Sequence, residues 1–420
     1  MADEKCIVGL DIGTSVIRVA IGEVDEDGNL RVIATSSKPS AGLRNGVIVN
    51  IEDAKDAIKD AVEAAEQEGG VIVSSVIASV GGAQIESENS RGVTPIRANG
   101  KNNIRAVTPE DVTKVIETAT AINYPADREK IHVIPQDYLV DGIGHISDPV
   151  NRLGFKLEAE VHIVTASKTT IQNIRSCVSR AGYELNGVML KTLAEVQAVC
   201  HEDEMELGSI IIDLGAGTTD VIVLLKGAPI STASVPVGGN IVTNDIAMVT
   251  EIPVAAAEKI KIESGCCWLP GVEVDEDVIL PGVGGRAPEV IGKEYLCRII
   301  QARMEKTFTM VKAAIIKNTN DSIKQLAGNI ILTGAGANME GIVELAQSVF
   351  KTSSVRIGIP ESLGGIEEQY RNPEFATAIG LIVANKGIVE KRDSRRKSKR
   401  NTTKSKDKES VLKKLRKMFF

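Results

Sequence analysis

Aromatic residues are scarce in this sequence and form only 3% of its 420 positions. Any hydrophobic core must therefore consist mainly of aliphatic side chains, and the length allows two or more domains with such cores. No apolar run approaches the roughly 20 residues that a membrane-spanning helix needs. The amino-terminal residues MADEK also lack the charged and then apolar pattern of a secretory signal. We therefore expect a chain without a transmembrane segment.

Metal-binding patterns are missing as well. The six cysteines have no CxxC spacing, and the four histidines form no ligand cluster. These absences argue against a structural zinc site and favour the reduced thiols of a cytosolic protein. The adjacent pair Cys266 and Cys267 has no role that the sequence explains, since neighbouring cysteines seldom bridge each other.

The charge is divided between an acidic body and a basic tail. The chain has a net charge of −7, but residues 391–420 contain 14 basic and three acidic residues, a net charge of +11. The preceding residues therefore carry a net charge of −18. Because such a body repels nucleic acids and anionic lipids, contact with a polyanion is expected to run through the tail.

Residues 209–227, SIIIDLGAGTTDVIVLLKG, are the most informative stretch. They predict a β-hairpin with a polar, glycine-rich tip. Glycines let backbone N–H groups approach an anion, and hydroxyl groups add donors that suit phosphate oxygens. An aspartate at the end of the first strand can hold a hydrated Mg²⁺ ion that contacts the phosphates. The residues expected to contribute are Asp213, Gly215, Gly217, Thr218 and Thr219.

The same pattern occurs a second time. Residues 6–22, CIVGLDIGTSVIRVAIG, place Asp11, Gly13, Thr14 and Ser15 in the same order between two apolar strands. Two such hairpins about 200 positions apart indicate a duplicated fold whose halves face each other. The sequence therefore predicts that the two tips hold the phosphates of a nucleotide, with two ordinary turns as the alternative.

The rest of the first half follows a βαβ pattern. It predicts a strand at 30–35, a helix at 51–67 that is capped by Asn50, and a strand at 71–80. Two amphipathic helices are predicted later, at 167–182 and at 192–204.

A small α+β unit interrupts this half at residues 83–161. Thr108, Pro109 and Asp111 form a capping-box pattern and predict a helix that runs to about residue 122, followed by three strands that are separated by proline and glycine turns. A phosphate site needs none of this insert, so the insert is a candidate for contacts with partners.

The second half offers further groups for a nucleotide. Gly238 and Gly239 are predicted to begin a helix whose free N–H groups suit a phosphate or a ribose hydroxyl, although a helix start without a ligand is the commoner case. Glu258 and Lys261 share one face of the next predicted helix, a spacing that is usually a surface ion pair. A longer helix is predicted at 289–317.

Residues 329–341, NIILTGAGANMEG, predict a strand, a glycine turn and a helix, in which Gly334, Gly336 and Ala337 leave room for a flat base. The dinucleotide-binding pattern GxGxxG fails at its third glycine, and a Walker A motif is absent from the sequence.

The end of the chain predicts a tethered membrane helix. Residues 391–409 are too polar and charged to fold and are predicted to be a disordered linker. Residues 410–420 predict a cationic amphipathic helix that lies in the interface of anionic lipids, rather than a solubilising tail or a nucleic-acid arm. Its apolar face comprises Val411, Leu412, Leu415, Met418, Phe419 and Phe420, and its basic face comprises Lys413, Lys414, Arg416 and Lys417.

Together these motifs resemble the nucleotide-binding fold of actin, Hsp70 and sugar kinases, and within that superfamily the FtsA family of bacterial cell-division proteins. The resemblance covers nearly the whole chain, and the insert motifs are specific to that family. The carrying motifs are LDIGTS at 10–15, ESENSRGV at 86–93, DREKIHVIPQDYLVDG at 127–142, LEAEVHIVTAS at 157–167, DLGAGTTD at 213–220, PGVGGR at 281–286 and TGAGA at 333–337.

The resemblance implies an α/β fold of two duplicated, actin-like (ribonuclease H-like) nucleotide-binding halves with an inserted α+β subdomain. The first half would comprise residues 1–82 and 162–207, with the insert at 83–161. The second half would comprise 208–390, with a small subdomain at about 233–327.

Residue roles follow from the same resemblance, with ATP and Mg²⁺ as the implied cofactors. Asp11 and Asp213 would organise the Mg²⁺ ion through water, and Arg18 stands where actin-like proteins often have a phosphate-facing lysine. The phosphates would contact Gly13, Thr14, Ser15, Gly215, Gly217 and Thr218, and the nucleoside would contact Gly238, Gly239, Glu258, Lys261, Gly334 and Gly336.

The implied function is an adaptor that self-assembles with ATP bound and links the FtsZ ring to the membrane. Its implied place is the cytoplasmic face of the cell membrane at the division site, as a peripheral protein. Later division proteins would bind through residues 83–161, and no nucleic-acid partner is expected.

One position departs from the family pattern. Where related chains often carry an acidic residue that orients the attacking water, this sequence has Lys191. A lysine is not a base unless its pKa falls by several units, and Glu195 lies one helical turn away, so hydrolysis is expected to be weak or absent. The alternatives are a protein like the pilus-assembly ATPases and a kinase acting on sugars; the sequence shows neither the Asp base nor the sugar pocket of such a kinase.

Overall fold

Two five-stranded sheets of identical topology form the framework of the computed structural model, which describes residues 5–96, 104–273, 276–282, 284, 287–319 and 329–387. In each sheet the first three strands form an antiparallel meander, and two later strands add in parallel beside the first one. This repeat confirms the duplication that the two hairpin sequences predict. The predicted linker 391–409 and membrane helix 410–420 lie outside the described residues.

The first part of the amino-terminal half contains the first hairpin and one long helix. Asn50 caps this helix by accepting from the N–H groups of Glu52 and Asp53, and Gly70 ends it with a φ of 62°. The elements are β1 (Cys6–Ile12), β2 (Val16–Val24), β3 (Leu30–Pro39), β4 (Leu43–Arg44), β5 (Val47–Ile48), α1 (Ile51–Gly69) and β6 (Ser75–Val80).

The strand predicted at 71–80 begins four residues late. The N–H groups of Val71 and Val73 donate to the carbonyl and the carboxylate of Glu66, respectively, near the end of α1. These bonds hold the segment against the helix, so only the residues from Ser75 onward pair in the sheet.

The insert is a four-stranded antiparallel sheet with one helix on its face. Thr108 and Asp111 form the predicted capping box, but the helix ends at Ala119, before the predicted residue 122. The elements are β7 (Ile85–Pro95), β8 (Arg105–Ala106), α2 (Pro109–Ala119), β9 (Arg128–Val140), β10 (Ile143–Ile146), β11 (Leu153–Gly154) and β12 (Lys156–Ser167).

The helix predicted at 192–204 is two helices. The side chain of Arg356 donates to the Val199 carbonyl and to the Glu204 carboxylate, while Glu204 accepts from the His201 N–H. These bonds end one helix and begin the next, so Cys200 between them is extended. Ser167 precedes the first helix of this part without capping it through its side chain. The elements are α3 (Lys168–Arg180), β13 (Glu184–Leu190), α4 (Lys191–Val199) and α5 (Glu202–Leu207).

The carboxy-terminal half repeats the meander and adds a helical subdomain. Its long helix begins later than predicted because residues 289–292 pair with another short strand. The elements are β14 (Ile210–Leu214), β15 (Thr219–Leu225), β16 (Ala228–Val235), α6 (Gly239–Val249), α7 (Val254–Ser264), β17 (Asp277–Leu280), β18 (Glu289–Gly292), α8 (Lys293–Thr319), β19 (Ile330–Thr333), α9 (Ile342–Phe350), β20 (Val355–Ile357), α10 (Glu367–Tyr370) and α11 (Ala376–Asn385).

Helix α11 joins the two halves, because its residues share one core cluster with residues of β1 and α4. The contact is close: a methyl group on Gly380 would overlap the carbonyl oxygen of Ala194, and one on Gly9 would lie 2.5 Å from that of Ala378. In the part of the chain that the structure describes, no helix combines the length and the apolar character that crossing a membrane requires.

The α4–α11 contact predicts a large effect of one methyl group. We expect Gly380→Ala to lower the free energy of unfolding by about 2–3 kcal/mol or more, because the added methyl forces the helices apart. Gly187→Ala in β13 is the matched control, since no atom lies within 4 Å of its added methyl. Urea unfolding measures both variants, and equal stability would contradict the described packing.

Candidate functional site

A cleft of about 470 Å³ lies between the two hairpin tips. The predicted cofactor-binding residues line this cleft, with one exception. The exception is Ala337, which is 1% exposed and packs in the core of the second half, while its neighbours Ala335, Gly336 and Asn338 face the cleft. The structure therefore brings together groups that are more than 200 positions apart in the sequence.

The two hairpin tips approach each other closely. A Cβ atom on Gly217 would lie 2.6 Å from Oγ1 of Thr14, so only glycine fits at this point of the second tip. Oγ1 of Thr14 accepts from the N–H of Gly46 at 2.9 Å, and Oγ of Ser15 donates to Oδ1 of Asn240 at 3.3 Å. The hydroxyls that are predicted to bind phosphate thus connect the first tip to the turn at Gly46 and to α6 of the second half.

Carboxyl groups at the base of the cleft surround one lysine. Nζ of Lys191 lies 2.7 Å from Oδ2 of Asp213, whose side chain is completely buried. Burial alone would lower the pKa of Lys191, but the charges of Asp213 and of three other acidic residues raise it well above its usual value. Those three residues are Asp11, Glu195 and Asp220. Lys191 is therefore a cation at neutral pH and not a base.

Asp213 is a carboxyl group that is completely removed from water. Burial raises its pKa to about 6, against the lowering effect of Lys191. Its Oδ1 atom is completely buried and has no hydrogen-bond partner in the described part of the chain. Gly334, with a φ of 78°, lies so close that a Cβ atom there would overlap this oxygen.

Glu195 lies one helical turn behind Lys191 and is 0% exposed. Its Oε1 accepts from the hydroxyl of Thr377 at 2.7 Å, and Thr377 itself lines the cleft. Burial, and then the charge of Asp213, raise the pKa of Glu195 well above its usual range, although Lys191 acts in the opposite direction. The neutral form of Glu195 is therefore favoured in comparison with an exposed glutamate.

The helix start at Gly238 and Gly239 differs from the prediction. The N–H groups of Gly239 and Asn240 donate to the carbonyls of Gly215 and Ala216 at 2.9 and 2.8 Å. These two groups were expected to be free for a phosphate, but they hold α6 against the second hairpin tip instead. The helix start therefore shapes the wall of the cleft.

Two of the predicted phosphate contacts are engaged within the protein. The Thr219 hydroxyl donates to the Val237 carbonyl at 2.8 Å, and that of Thr218 donates to Oδ2 of Asp220 at 3.0 Å. Thr219 is therefore a structural residue of the hairpin. The Thr218 hydroxyl orients Asp220, which also accepts from the N–H of Gly82 in the first half.

Arg18 pairs with a residue that the sequence analysis missed. Its guanidinium group forms an ion pair with Glu374 and lies 5.8 Å from the centre of the Phe375 ring. Both Arg18 and Glu374 line the cleft. Glu374 is 356 positions from Arg18 and follows no glycine-rich pattern, so no local signal marks it.

Glu258 and Lys261 form the predicted pair, but in the cleft wall. Nζ of Lys261 lies 2.7 Å from Glu258 and also donates to the Gly239 carbonyl at 3.3 Å, and the lysine side chain is only 11% exposed.

Ser79 is another cleft residue that the sequence analysis missed. Its hydroxyl donates to Oδ1 of Asp11 at 2.8 Å. The signal for it is the segment Ser79 to Gly82, a strand end followed by two glycines.

Comparison with solved structures identifies the fold. The structure is similar to a chain of the "PilM-PilN type IV pilus biogenesis complex", with a TM-score of 0.64, 15% sequence identity and coverage of 89% of this chain and 97% of that one. It is also similar to "MreB5 of Spiroplasma citri bound to ADP", with a TM-score of 0.55, 14% identity and coverage of 93% and 98%. The two halves therefore have the actin-like fold, as predicted.

Comparison of sequences identifies the family. The family model "Cell division protein FtsA" matches residues 210–380, and the model "SHS2 domain inserted in FTSA" matches residues 82–165. The chain is 42% identical to "Cell division protein FtsA" of Borreliella burgdorferi over 378 residues, which are 90% of each chain. The duplicated actin-like halves, the insert and this similarity lead to one conclusion: the chain belongs to the FtsA family of cell-division proteins.

Proposed function

We propose that this cell-division protein is an ATP-binding adaptor that self-assembles and links the FtsZ ring to the cytoplasmic face of the cell membrane. The observation that carries the nucleotide part is the cleft, where two matching hairpin tips converge beside a buried carboxylate oxygen without a hydrogen-bond partner. Its volume of about 470 Å³ is within the range of small-molecule sites. The actin-like protein MreB5, which has the same fold, is described as bound to ADP.

The residues at the base of the cleft fit a magnesium ion. Oδ1 of Asp213 lacks a hydrogen-bond partner, and four carboxyl groups face a single ammonium group, so a divalent cation would balance the charge. No group of three or more acidic, histidine or cysteine side chains in the described ranges forms a metal cage. Mg²⁺ suits such a site because it keeps several waters and shares its remaining positions with phosphate oxygens. Asp11 and Asp213 would hold it through water.

The bound nucleotide would lie with its phosphates between the hairpin tips. There the glycines at 13, 215 and 217 expose backbone to the cleft, as do Thr14 and Ser15 at the first tip. The nucleoside would lie between α7 and the turn at Gly334 and Gly336, beside Glu258 and Lys261. A phosphate near Arg18 would compete with Glu374 for its guanidinium group.

The chemistry of the cleft favours binding over hydrolysis. A water molecule needs a group that accepts its proton, but Lys191 is held protonated by the surrounding carboxylates. Glu195 is fully buried and accepts from the Thr377 hydroxyl, so it is not placed to take a proton from a water molecule in the open cleft. We therefore propose that ATP sets conformation and assembly and is turned over slowly.

The membrane and partner parts of the proposal rest on the tail and on the family. Residues 391–420 have a net charge of +11, and the sequence of the last 11 residues alternates basic and apolar residues at a spacing that predicts an amphipathic helix. In the family, FtsZ is the ring partner and the insert at 83–161 serves contacts between protomers and with later division proteins.

The similarity to PilM is a similarity of fold at 15% identity, so the pilus alternative has less support than cell division. A kinase acting on sugars is tested by adding a panel of sugars and measuring ATP consumption.

The first test of the nucleotide site is Asp213→Asn. We expect it to weaken Mg²⁺-dependent ATP binding about tenfold or more, because the charged ligand that organises the ion is lost. Asp60→Asn on the exposed face of α1 is the matched control. Isothermal calorimetry with and without Mg²⁺ measures the effect, and an unchanged Mg²⁺ dependence in Asp213→Asn would contradict the assignment.

The variant Lys191→Met tests whether Lys191 balances the charge of Asp213 or takes part in ATP hydrolysis. We expect it to lower the free energy of unfolding without ligand by about 3–5 kcal/mol, because it leaves Asp213 buried without its partner. The rate of ATP hydrolysis should remain within about twofold of the original rate, since the lysine supplies no base. A drop of about a hundredfold in turnover would mean that Lys191 takes part in the reaction.

The tail is tested by co-sedimentation with vesicles of anionic lipid. We expect the full chain to pellet and a chain ending at Glu390 to stay in solution, with ATP and Mg²⁺ increasing the pelleted fraction through assembly. A full-length variant with Leu412 and Phe419 changed to Ser retains the charge and serves as the control for burial of apolar groups. If it pellets as well as the original chain, the tail binds by charge alone and the amphipathic-helix prediction is wrong.

A further inference from the structure

The start of helix α4 is poorly determined by its own sequence. Leu190 precedes the helix at the N-cap position and Leu193 follows at the third helical position, and neither side chain can accept a hydrogen bond. Lys191 occupies the first helical position, where the helix dipole disfavours a cation. The position of Lys191 in the cleft must therefore depend on contacts with other parts of the molecule.

One of these contacts comes from the insert. Nε2 of His132, in β9, accepts from the backbone N–H of Leu190 at 2.9 Å, and His132 is only 5% exposed. In a capping box, the side chain of the third helical residue accepts from the backbone N–H of the N-cap residue. Here His132 accepts from that N–H group instead. The insert thus supplies an acceptor that α4 itself lacks.

The same face of the insert is bonded to the second half. In the β9–β12 register His162 is paired with Ile134, two residues along β9 from His132. Nδ1 of His162 donates to Oδ1 of Asn89 at 2.7 Å. Burial, and then the nearby His132, lower the pKa of His162 to about 4, so it is neutral at physiological pH. Asn89 donates to the Ile230 carbonyl of β16, and Gln136 donates to that of Pro229.

These contacts connect the first half, the second half and the insert in pairs, like the three sides of a triangle. Lys191 belongs to the first half and Asp213 to the second, and their ion pair is one side of it. The insert forms the other two sides, through His132 to the start of α4 and through Asn89 and Gln136 to β16. A displacement of the insert would therefore shift or break the hydrogen bond of the Leu190 N–H group, one residue before Lys191.

We propose that His132 is a positioning residue of the nucleotide cleft, which holds the start of α4 so that Lys191 meets Asp213 and which couples the insert to this site. The inference rests on the proposed function only where it concerns nucleotide affinity. A partner or second copy of the chain that shifts the insert would change that affinity through this bond, and by linkage the bound nucleotide would change the affinity for the partner.

Two amide variants of the full chain test this role. A glutamine at position 132 can place its amide oxygen near the position of Nε2, whereas an asparagine is one methylene shorter. We expect His132→Asn to raise hydrogen exchange of the peptide containing Leu190 and Lys191 about fivefold or more without nucleotide, and to weaken Mg²⁺-ATP binding by a similar factor. His132→Gln should retain most of both properties.

The control is His201→Gln, at a 61% exposed histidine side chain that pairs with Glu361 away from the cleft. It should change neither measurement. If His132→Asn does not fold, His132→Leu, which retains apolar bulk without the acceptor, replaces it with the same expectation. Equal behaviour of the glutamine and asparagine variants, or unchanged exchange in both, would overturn the proposal.

A double-mutant cycle identifies the route of the effect. If His132 acts through Lys191, His132→Asn should change ATP affinity less than about twofold in a Lys191→Met background. Additive losses would overturn the positioning role. If the unmodified chain does not bind ATP, the proposed function fails, but the exchange of Leu190 and Lys191 still decides whether His132 holds the start of α4.

Discussion

A buried surplus of negative charge is the constraint on which this structure depends. Asp11, Asp213, Asp220 and Glu195 surround Lys191, and one ammonium group does not balance four carboxyl groups. Two features reduce this surplus: burial favours the neutral form of Glu195, and Asp213 forms an ion pair with Lys191 across the two halves. The remaining negative charge in the cleft would be balanced by the cation that the proposed function assigns to it.

The sequence predicts much of this fold because its strongest signals are local. The order of strand, aspartate, glycine and hydroxyl in the two hairpins is sufficient to predict the duplication and the cleft, and the caps of α1 and α2 are visible as Asn50 and Thr108. Gly217 and Gly334 occur where another segment of the same chain leaves no space for a side chain. The glycine-rich patterns are local signals, but the contacts that require these two glycines come from residues more than 100 positions away.

The features that the sequence did not predict depend on distant contacts. The break between α4 and α5 follows from Arg356, which is more than 150 positions away from both of its partners there. The N–H groups at the start of α6 are used by the hairpin tip, and Arg18 is paired with Glu374. Ala337 turns into the core while its neighbours face the cleft. No local pattern encodes such partners, because the chain brings them together only after folding.

The position of α11 has a consequence for the order in which the protein forms during synthesis. One hydrophobic cluster joins Ile7 and Ala20, near the amino terminus, with Ile379 and Leu381 of this helix. The first half therefore cannot complete its core until residues up to 385 have left the ribosome, although its own strands are made first. Until the last helix is made, the nascent amino-terminal sheet has an apolar face uncovered, and such exposed surface favours aggregation of an incomplete chain.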